Sequence, residues 1–99
     1  MPDSASAVAL AENLVKEGLA ACVNVLAACT SVYRWQGKME TAQEVPVLIK
    51  AVAANYSKIE NFIQQNHPYE LPEIIAVSIT HGSSAYLNWL VTETSMDIN

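Results

Sequence analysis

Two histidines and two glutamates are the residues whose types and spacing first suggest chemistry. His67 stands directly before a proline, Glu70 and Glu73 follow within six residues, and His81 precedes a glycine. Imidazole and carboxylate groups are ligands for divalent metal ions. One interpretation is therefore a weak metal site at His67, completed by a nearby glutamate or a second subunit. The other is a helix-end histidine bound to a carbonyl or carboxylate. His81 is interpreted as structural.

Catalysis has little support in the sequence. A nucleophile needs a positioned base, and neither Cys22 nor Cys29 has a histidine nearby in the chain. There is no G-x-S-x-G motif and no phosphate-binding loop. On an extended strand the two thiols would lie about 23 Å apart, whereas a disulfide needs Cα atoms within about 7 Å. We expect two buried free thiols and no enzymatic activity.

A second candidate site is aromatic. Tyr33, Trp35 and Trp89 are able to line a small-molecule cleft, with Lys50 and Glu73 as its polar contacts. Apolar clefts with a few convergent charges are where ligands commonly bind. Aromatic residues on a hairpin that must be covered are, however, also typical anchors of subunit interfaces. Both interpretations stay open, with packing favoured.

One long β-hairpin over residues 20–52 positions these aromatic side chains. Period-two alternation on both arms, separated by Gln36 and Gly37, is the signature of two strands and a tight turn. Each arm of about 14 residues spans roughly 45 Å, whereas a compact domain of this length is only about 34 Å across. The hairpin should overhang its own domain, so we expect an oligomer. Pro46 should lie at an edge or a bulge.

Helical periodicity and capping residues predict the remaining elements. They are a helix from Asp3 or Ser4 to about residue 19, a helix from Asn55 to about residue 66, a strand over 74–80 that is buried on both faces, and a helix from a Ser83 or Ser84 cap to about residue 94. The resulting order, α-β-β-α-β-α, predicts an α+β sandwich with its helices on one face of the sheet.

Composition limits the class of protein. The chain has 99 residues, 52% of them hydrophobic, which fits a single domain over residues 1–99. Its net charge of −5 gives no basic surface for nucleic acid. No apolar run approaches the roughly 18 residues of a membrane span, and no signal peptide is evident. We expect a cytoplasmic protein.

Several motifs resemble the CutA family of divalent-cation-tolerance proteins. They are L-A-A-C-V-N at 19–24, T-S-V-Y-R-W-Q-G-K at 30–38, H-P-Y-E-L-P-E at 67–73 and Y-L-N-W at 86–89. The resemblance implies a fold similar to ferredoxins and PII signalling proteins, and a tight homotrimer whose hairpins pair across subunits. It also implies a role in the response to, or binding of, divalent metals such as copper. A PII-like trimer that binds a small molecule between subunits is the alternative.

The sequence departs from the family pattern at its start and in its metal motif. The resemblance implies a strand before the first helix, and here the sequence starts at the end of that strand. Because that strand is central in a ferredoxin-like sheet, its loss should leave an uncovered gap in the core. We expect either an N-terminally shortened form or another strand that fills the space. Of the His-His pair that the resemblance links to copper, only His67 is present, and Asn66 replaces the other; the family's cysteine ligand falls in the absent strand. Tyr69 joins the possible cleft or interface residues. Ala27 and Ala28 stand where the family usually has Pro-Gly.

Overall fold

The computed structural model describes residues 1–66 and 71–94. In those ranges it contains three α helices and four β strands, so the predicted α+β class is confirmed. The elements are α1 (Ser4–Lys16), β1 (Cys22–Val25), β2 (Cys29–Trp35), β3 (Lys38–Glu44), β4 (Val47–Lys50), a 3₁₀ helix (Ala53–Asn55), α2 (Tyr56–Asn66) and α3 (Ser84–Glu93).

Helix α1 begins and ends where its sequence signals predict. The Asp3 carboxylate accepts a hydrogen bond of 2.7 Å from the Ser6 amide and so caps the first turn. At the other end Gly18 has φ of 75°, and the Leu19 amide donates to the Leu14 carbonyl at 3.0 Å. This is the Schellman arrangement, which satisfies the last carbonyls of the helix. The helix therefore stops before residue 19, and the chain turns into β1.

Acid should weaken the Asp3 cap. The hydrogen bond from the Ser6 amide lowers the pKa of Asp3 below its ordinary value of 3.8. A carboxyl with a lowered folded-state pKa stabilises the fold above 3.8 and loses that contribution as the pH falls below it. Asp3→Asn, which still caps but does not titrate, should remove this part of the pH dependence. Thermal melts of both proteins from pH 6 to pH 2 would check it, and parallel melting-temperature profiles would contradict it.

The long hairpin forms two ladders separated by a bulge. Strand β1 pairs with β4, from Cys22 opposite Lys50 to Val25 opposite Val47. Strand β2 pairs with β3, beginning at Cys29 opposite Glu44. Between the ladders, the three residues 26–28 of the first arm face the two residues 45–46 of the second, and an extra residue of this kind defines a β-bulge. Pro46 lies in the break, as predicted, where its missing N–H removes no regular ladder bond.

The turn of the hairpin requires left-handed backbone at both central residues. Gln36 has φ of 51° and Gly37 has φ of 81°, as in a type I′ turn, whose twist matches that of the flanking strands. The predicted turn is confirmed.

Gly37→Ala should lower the free energy of unfolding by about 1 kcal/mol, because a Cβ is strained in the left-handed region. No atom of the residues that the structure describes lies within 4 Å of the added Cβ, so the expected cost comes from backbone conformation. Gln36→Asn, which tolerates positive φ, should be neutral or slightly stabilising. Urea denaturation at one protein concentration measures both. A Gly37→Ala protein as stable as the parent would contradict the assigned turn.

The core lies between the helices and one face of the β1–β4 ladder. Its buried members are Leu10 and Leu14 of α1, Ala20, and Ile59 and Ile63 of α2. Val23, Ile49, Phe62 and Ile74 pack against this cluster from the sheet, from α2 and from the segment before α3. None of the helices within residues 1–66 and 71–94 has the length and apolar character needed to cross a lipid bilayer.

Asn55 joins three parts of the fold through one buried side chain. It is 5% exposed, and its amide nitrogen donates to the carbonyl of Leu19, after α1, and to that of Thr94, at the end of α3. It ends the 3₁₀ helix directly before α2. Buried carbonyls need such partners, since an unsatisfied one costs free energy. Asn55 therefore holds the ends of two helices at the start of a third.

Strands β2 and β3 extend beyond the core. The longest dimension of the molecule is 44 Å, and almost all residues of these two strands are exposed. Val32 is 65% exposed and Met39 is 80% exposed, while Tyr33 and Trp35 keep 44% and 37% of their surface accessible. The predicted overhang is thus confirmed for the single chain.

The predicted buried strand at residues 74–80 is wrong in this structure. These residues pair with no strand, and Ile75, Val77 and Ile79 are 78%, 88% and 56% exposed. Only Ile74 packs against the core. A strand needs a neighbour to bond its backbone and cover its faces, and the described residues supply none. The observed element order accordingly lacks this strand.

Candidate functional site

Lys50, Tyr86 and Trp89 come together on the surface. The Tyr86 and Trp89 ring centroids are 5.6 Å apart and their planes are tilted by 36°. The Lys50 ammonium lies 5.9 Å from the centroid of the Tyr86 ring, within reach of a cation–π attraction. Both rings remain about two-fifths exposed. The cluster offers a flat aromatic surface beside one positive charge, and we call it the Lys50 cluster.

Two elements position the Lys50 cluster. Lys50 ends β4, opposite Cys22, so the β1–β4 ladder holds its backbone. Tyr86 and Trp89 are three positions apart on α3, which places them on one face of the helix. Ser83 caps that helix by accepting from the Tyr86 amide at 3.2 Å. Lys50 and Trp89 were predicted as cleft residues. Tyr86 was not, although its three-residue spacing from Trp89 was an available signal.

The other predicted cleft residues are not part of this cluster. Tyr33 and Trp35 lie on β2, toward the exposed tip of the hairpin. Glu73 is an exposed residue of the segment before α3. His67 and Tyr69 lie outside the described residues. Of the predicted residues that the structure describes, it therefore brings together Lys50 and Trp89, each through Tyr86.

Metal-binding groups do not converge in the described part of the chain. Residues 1–66 and 71–94 contain no cluster of three or more His, Cys, Asp or Glu side chains that suits an ion. Cys22 and Cys29 are free thiols, as predicted, but their predicted burial is wrong, because Cys22 is half-buried and Cys29 is exposed. Their sulfurs lie 3.9 Å and 4.0 Å from the side-chain oxygens of Asn24 and Ser31. His81 is exposed and contacts the Thr80 hydroxyl at 3.2 Å.

A shallow depression of about 510 Å³ lies between α1 and the end of α2. Its lining consists of Met1, Ser6, Ala9, Leu10, Asn13, Gln65 and Asn66. None of these was a predicted cleft residue, and none carries an ionised side chain. The side chains that line the depression carry amides, one hydroxyl and apolar groups. These groups suit neither metal binding nor acid–base catalysis.

Comparison with known proteins decides the family. A family model described as "CutA1 divalent ion tolerance protein" matches residues 1–93. The chain belongs to the CutA1 family. A divalent-cation tolerance protein CutA from Thermus thermophilus is 40% identical over 94 residues, which are 95% of this chain and 91% of that protein. A CutA protein from Salmonella newport is 38% identical over 89 residues, 90% of this chain and 77% of that protein.

Solved CutA structures have the same fold. The Thermus thermophilus protein aligns with a TM-score of 0.93 at 40% identity, over 96% of this chain and 92% of that one. CutA from Xylella fastidiosa aligns with a TM-score of 0.91 at 46% identity, over 95% and 90%. The resemblance that the hairpin and H-P-Y-E-L-P-E motifs predict is confirmed. Membership supports a role in divalent-cation tolerance.

Proposed function

We propose that this CutA1-family protein is a non-enzymatic, cytoplasmic, single-domain homotrimer that binds divalent cations such as copper. The observation that carries the proposal is the uncovered hairpin β2–β3. Its apolar side chains are largely exposed to solvent, above all Val32 at 65% and Met39 at 80%. A two-stranded ribbon of this kind is marginal in water, so other copies of the chain are the simplest cover.

Three-fold self-association fits the shape of the hairpin. Closed point groups are the rule among soluble homo-oligomers, and the likeness to CutA proteins favours three copies. Trp35 and Tyr33, large and partly exposed near the tip, have the character of interface anchors. Each subunit would place its hairpin against neighbouring copies and receive another in return.

Metal binding, in this proposal, takes place between subunits at His67. The described residues of one chain contain no group of three metal-ligating side chains. An ion of the Cu²⁺ type, which favours imidazole, would therefore need His67 together with donors from another copy or from Glu70 and Glu73. The net charge of the chain is −5, which also favours the binding of cations over anions.

Calorimetric titration with Cu²⁺ tests this part of the proposal. We expect His67→Ala to lose most of the binding heat, because one of few imidazole ligands is removed. His81→Ala is the matched control, since that exposed histidine contacts only Thr80 among the described hydrogen bonds, and it should bind as the parent does. Equal heats for His67→Ala and the parent would contradict a copper site at this residue.

A small-molecule ligand is the second candidate function, and the Lys50 cluster favours it. Two adjacent rings with an ammonium group 5.9 Å from one of them suit a planar, negatively charged molecule. Titration with nucleotides discriminates the two functions. Nucleotide heat that Lys50→Ala removes, without copper heat, would support the PII-like alternative. Copper heat without nucleotide heat would support metal binding.

The proposal also states that the protein is not an enzyme and that it is located in the cytoplasm. Among residues 1–66 and 71–94, the hydrogen-bond contacts of the two thiols are with Asn24 and Ser31. These partners are not bases that would activate a nucleophile, which supports a binding role. The cytoplasmic location is proposed, and the competing location is the periplasm. One structural relative, from Archaeoglobus fulgidus, is described as a periplasmic CutA protein.

A further inference from the structure

Lys50 lies on the face of the β1–β4 ladder that is turned away from the core. Its neighbour Ile49 packs against the buried cluster, and successive side chains of a strand point to opposite faces of the sheet. Lys50 and Leu48 therefore share the second face, where Leu48 is 53% exposed. Helix α3 meets the Lys50 side chain there, because the Tyr86 ring centroid lies 5.9 Å from the Lys50 ammonium.

The other positive charges of the chain belong to other elements of the fold. The sequence has five Lys and Arg residues. Lys16 and Lys58 belong to α1 and α2, whose buried residues pack on the core-facing side of the ladder, and Arg34 and Lys38 belong to β2 and β3. The Lys50 cluster therefore has one cation, Lys50 itself. A nucleotide with three phosphates carries several negative charges, which a chain of net charge −5 disfavours.

The two rings of the Lys50 cluster supply the larger part of its contact surface. The Tyr86 and Trp89 centroids are 5.6 Å apart, and the two residues are 40% and 44% exposed. Stacking of a flat π-system on an aromatic side chain strengthens binding more than one exposed ion pair does. The matching ligand is therefore flat and aromatic over most of its area and carries one negative charge.

We propose that the Lys50 cluster binds a flat aromatic molecule with a single carboxylate. The ring system stacks on Trp89, the carboxylate accepts a charge-assisted hydrogen bond from the Lys50 ammonium, and the exposed Leu48 side chain contacts the apolar edge of the ligand. This assignment rests on the small-molecule alternative stated above. It narrows the ligand from planar anions in general, nucleotides included, to aromatic monocarboxylates.

Titration of the 99-residue chain with naphthoate, followed by NMR, tests this ligand class. The chain has two tryptophans, so the Trp89 indole N–H resonance is assigned by its loss in Trp89→Phe. We expect this resonance to shift in a saturable way with a Kd of about 1 mM, the weak end of specific association. Naphthamide, which lacks the charge, should bind about fivefold more weakly. Cyclohexanecarboxylate, which lacks the π-system, should bind about tenfold more weakly.

Lys50→Gln should weaken naphthoate binding about fivefold. Lys58→Gln, the matched control on α2, changes the net charge equally and should bind as the parent does. Equal affinities of Lys50→Gln and the parent would overturn the proposal.

Adenosine triphosphate distinguishes a wrong ligand class from a wrong function. If it shifts the Trp89 resonance at lower concentration than naphthoate does, the aromatic monocarboxylate is overturned and the small-molecule function stands. If neither compound shifts the resonance, both are overturned. The copper titrations of His67→Ala and His81→Ala are independent of these outcomes.

Discussion

Trp35→Ala is expected to convert the assembled protein largely to single chains while leaving the subunit folded. Trp35 is 37% exposed on the free chain and stands on β2 beyond the core. If the hairpin is the assembly surface, its indole is a central anchor, and loss of such an anchor costs about 2 kcal/mol or more, roughly a 30-fold weaker association. Light scattering across a dilution series would measure the shift, and far-UV circular dichroism would report the fold.

Val8→Ala is the matched control for that experiment. Val8 is 43% exposed and lies on α1, not on β2 or β3, so its truncation removes exposed apolar surface from outside the two strands of the proposed interface. It should leave the molar mass at each concentration unchanged. A Trp35→Ala protein with the mass and melting temperature of the parent would refute the hairpin as the assembly surface.

Asn55→Ala should destabilise the subunit itself. The substitution removes the donor that satisfies the carbonyls of Leu19 and Thr94, in a site only 5% exposed. Leaving buried carbonyls without a donor costs about 1–3 kcal/mol for each group, so we expect the free energy of unfolding to fall by about 3 kcal/mol. Chemical denaturation at one fixed protein concentration would measure it.

Gln64→Ala is the control for Asn55→Ala. It distinguishes the loss of the buried Asn55 hydrogen bonds from the loss of any amide side chain. Gln64 is an exposed amide on α2 that donates to Glu60 at 3.4 Å, and its truncation should change stability by less than about 0.5 kcal/mol. Equal effects of the two substitutions would contradict the role assigned to Asn55. The pair also distinguishes subunit stability from assembly, since neither residue lies on the hairpin.

The contrast between Trp35 and Asn55 reflects two kinds of information in the chain. The aromatic tip, the alternation around it and the turn at Gln36 and Gly37 are local patterns, and they allowed the overhang to be predicted. Asn55 is different. Its position before α2 suggested a helix cap, whereas its amide reaches residues 36 and 39 positions away in the chain. Packing of the whole chain determines such hydrogen-bond partners, and no local sequence pattern predicts them.

The candidate sites show the same difference between what local sequence patterns predicted and what packing decided. Lys50 and Trp89 were predicted to share a cleft, and they do share a cluster, but through Tyr86 and without Tyr33, Trp35 or Glu73. The copper role of His67 and the part played by Tyr69 stay predictions. Residues 74–80 were predicted to form a buried strand because they are a mostly apolar run. Apolar character predicts a preference for burial, but burial itself depends on whether a neighbour is present.

By itself, the sequence determined the family, the α+β class, the Asp3 and Ser83 caps, the hairpin turn and the bulge at Pro46. Each of these depends on residue types within a few positions, where backbone sterics and short hydrogen bonds decide the conformation. Only the tertiary structure decided that Met1 pairs with Val45, 44 positions away, and that Lys50 lies over the Tyr86 ring. Strand pairing joins distant segments, and which of them meet depends on the surfaces that the whole chain buries.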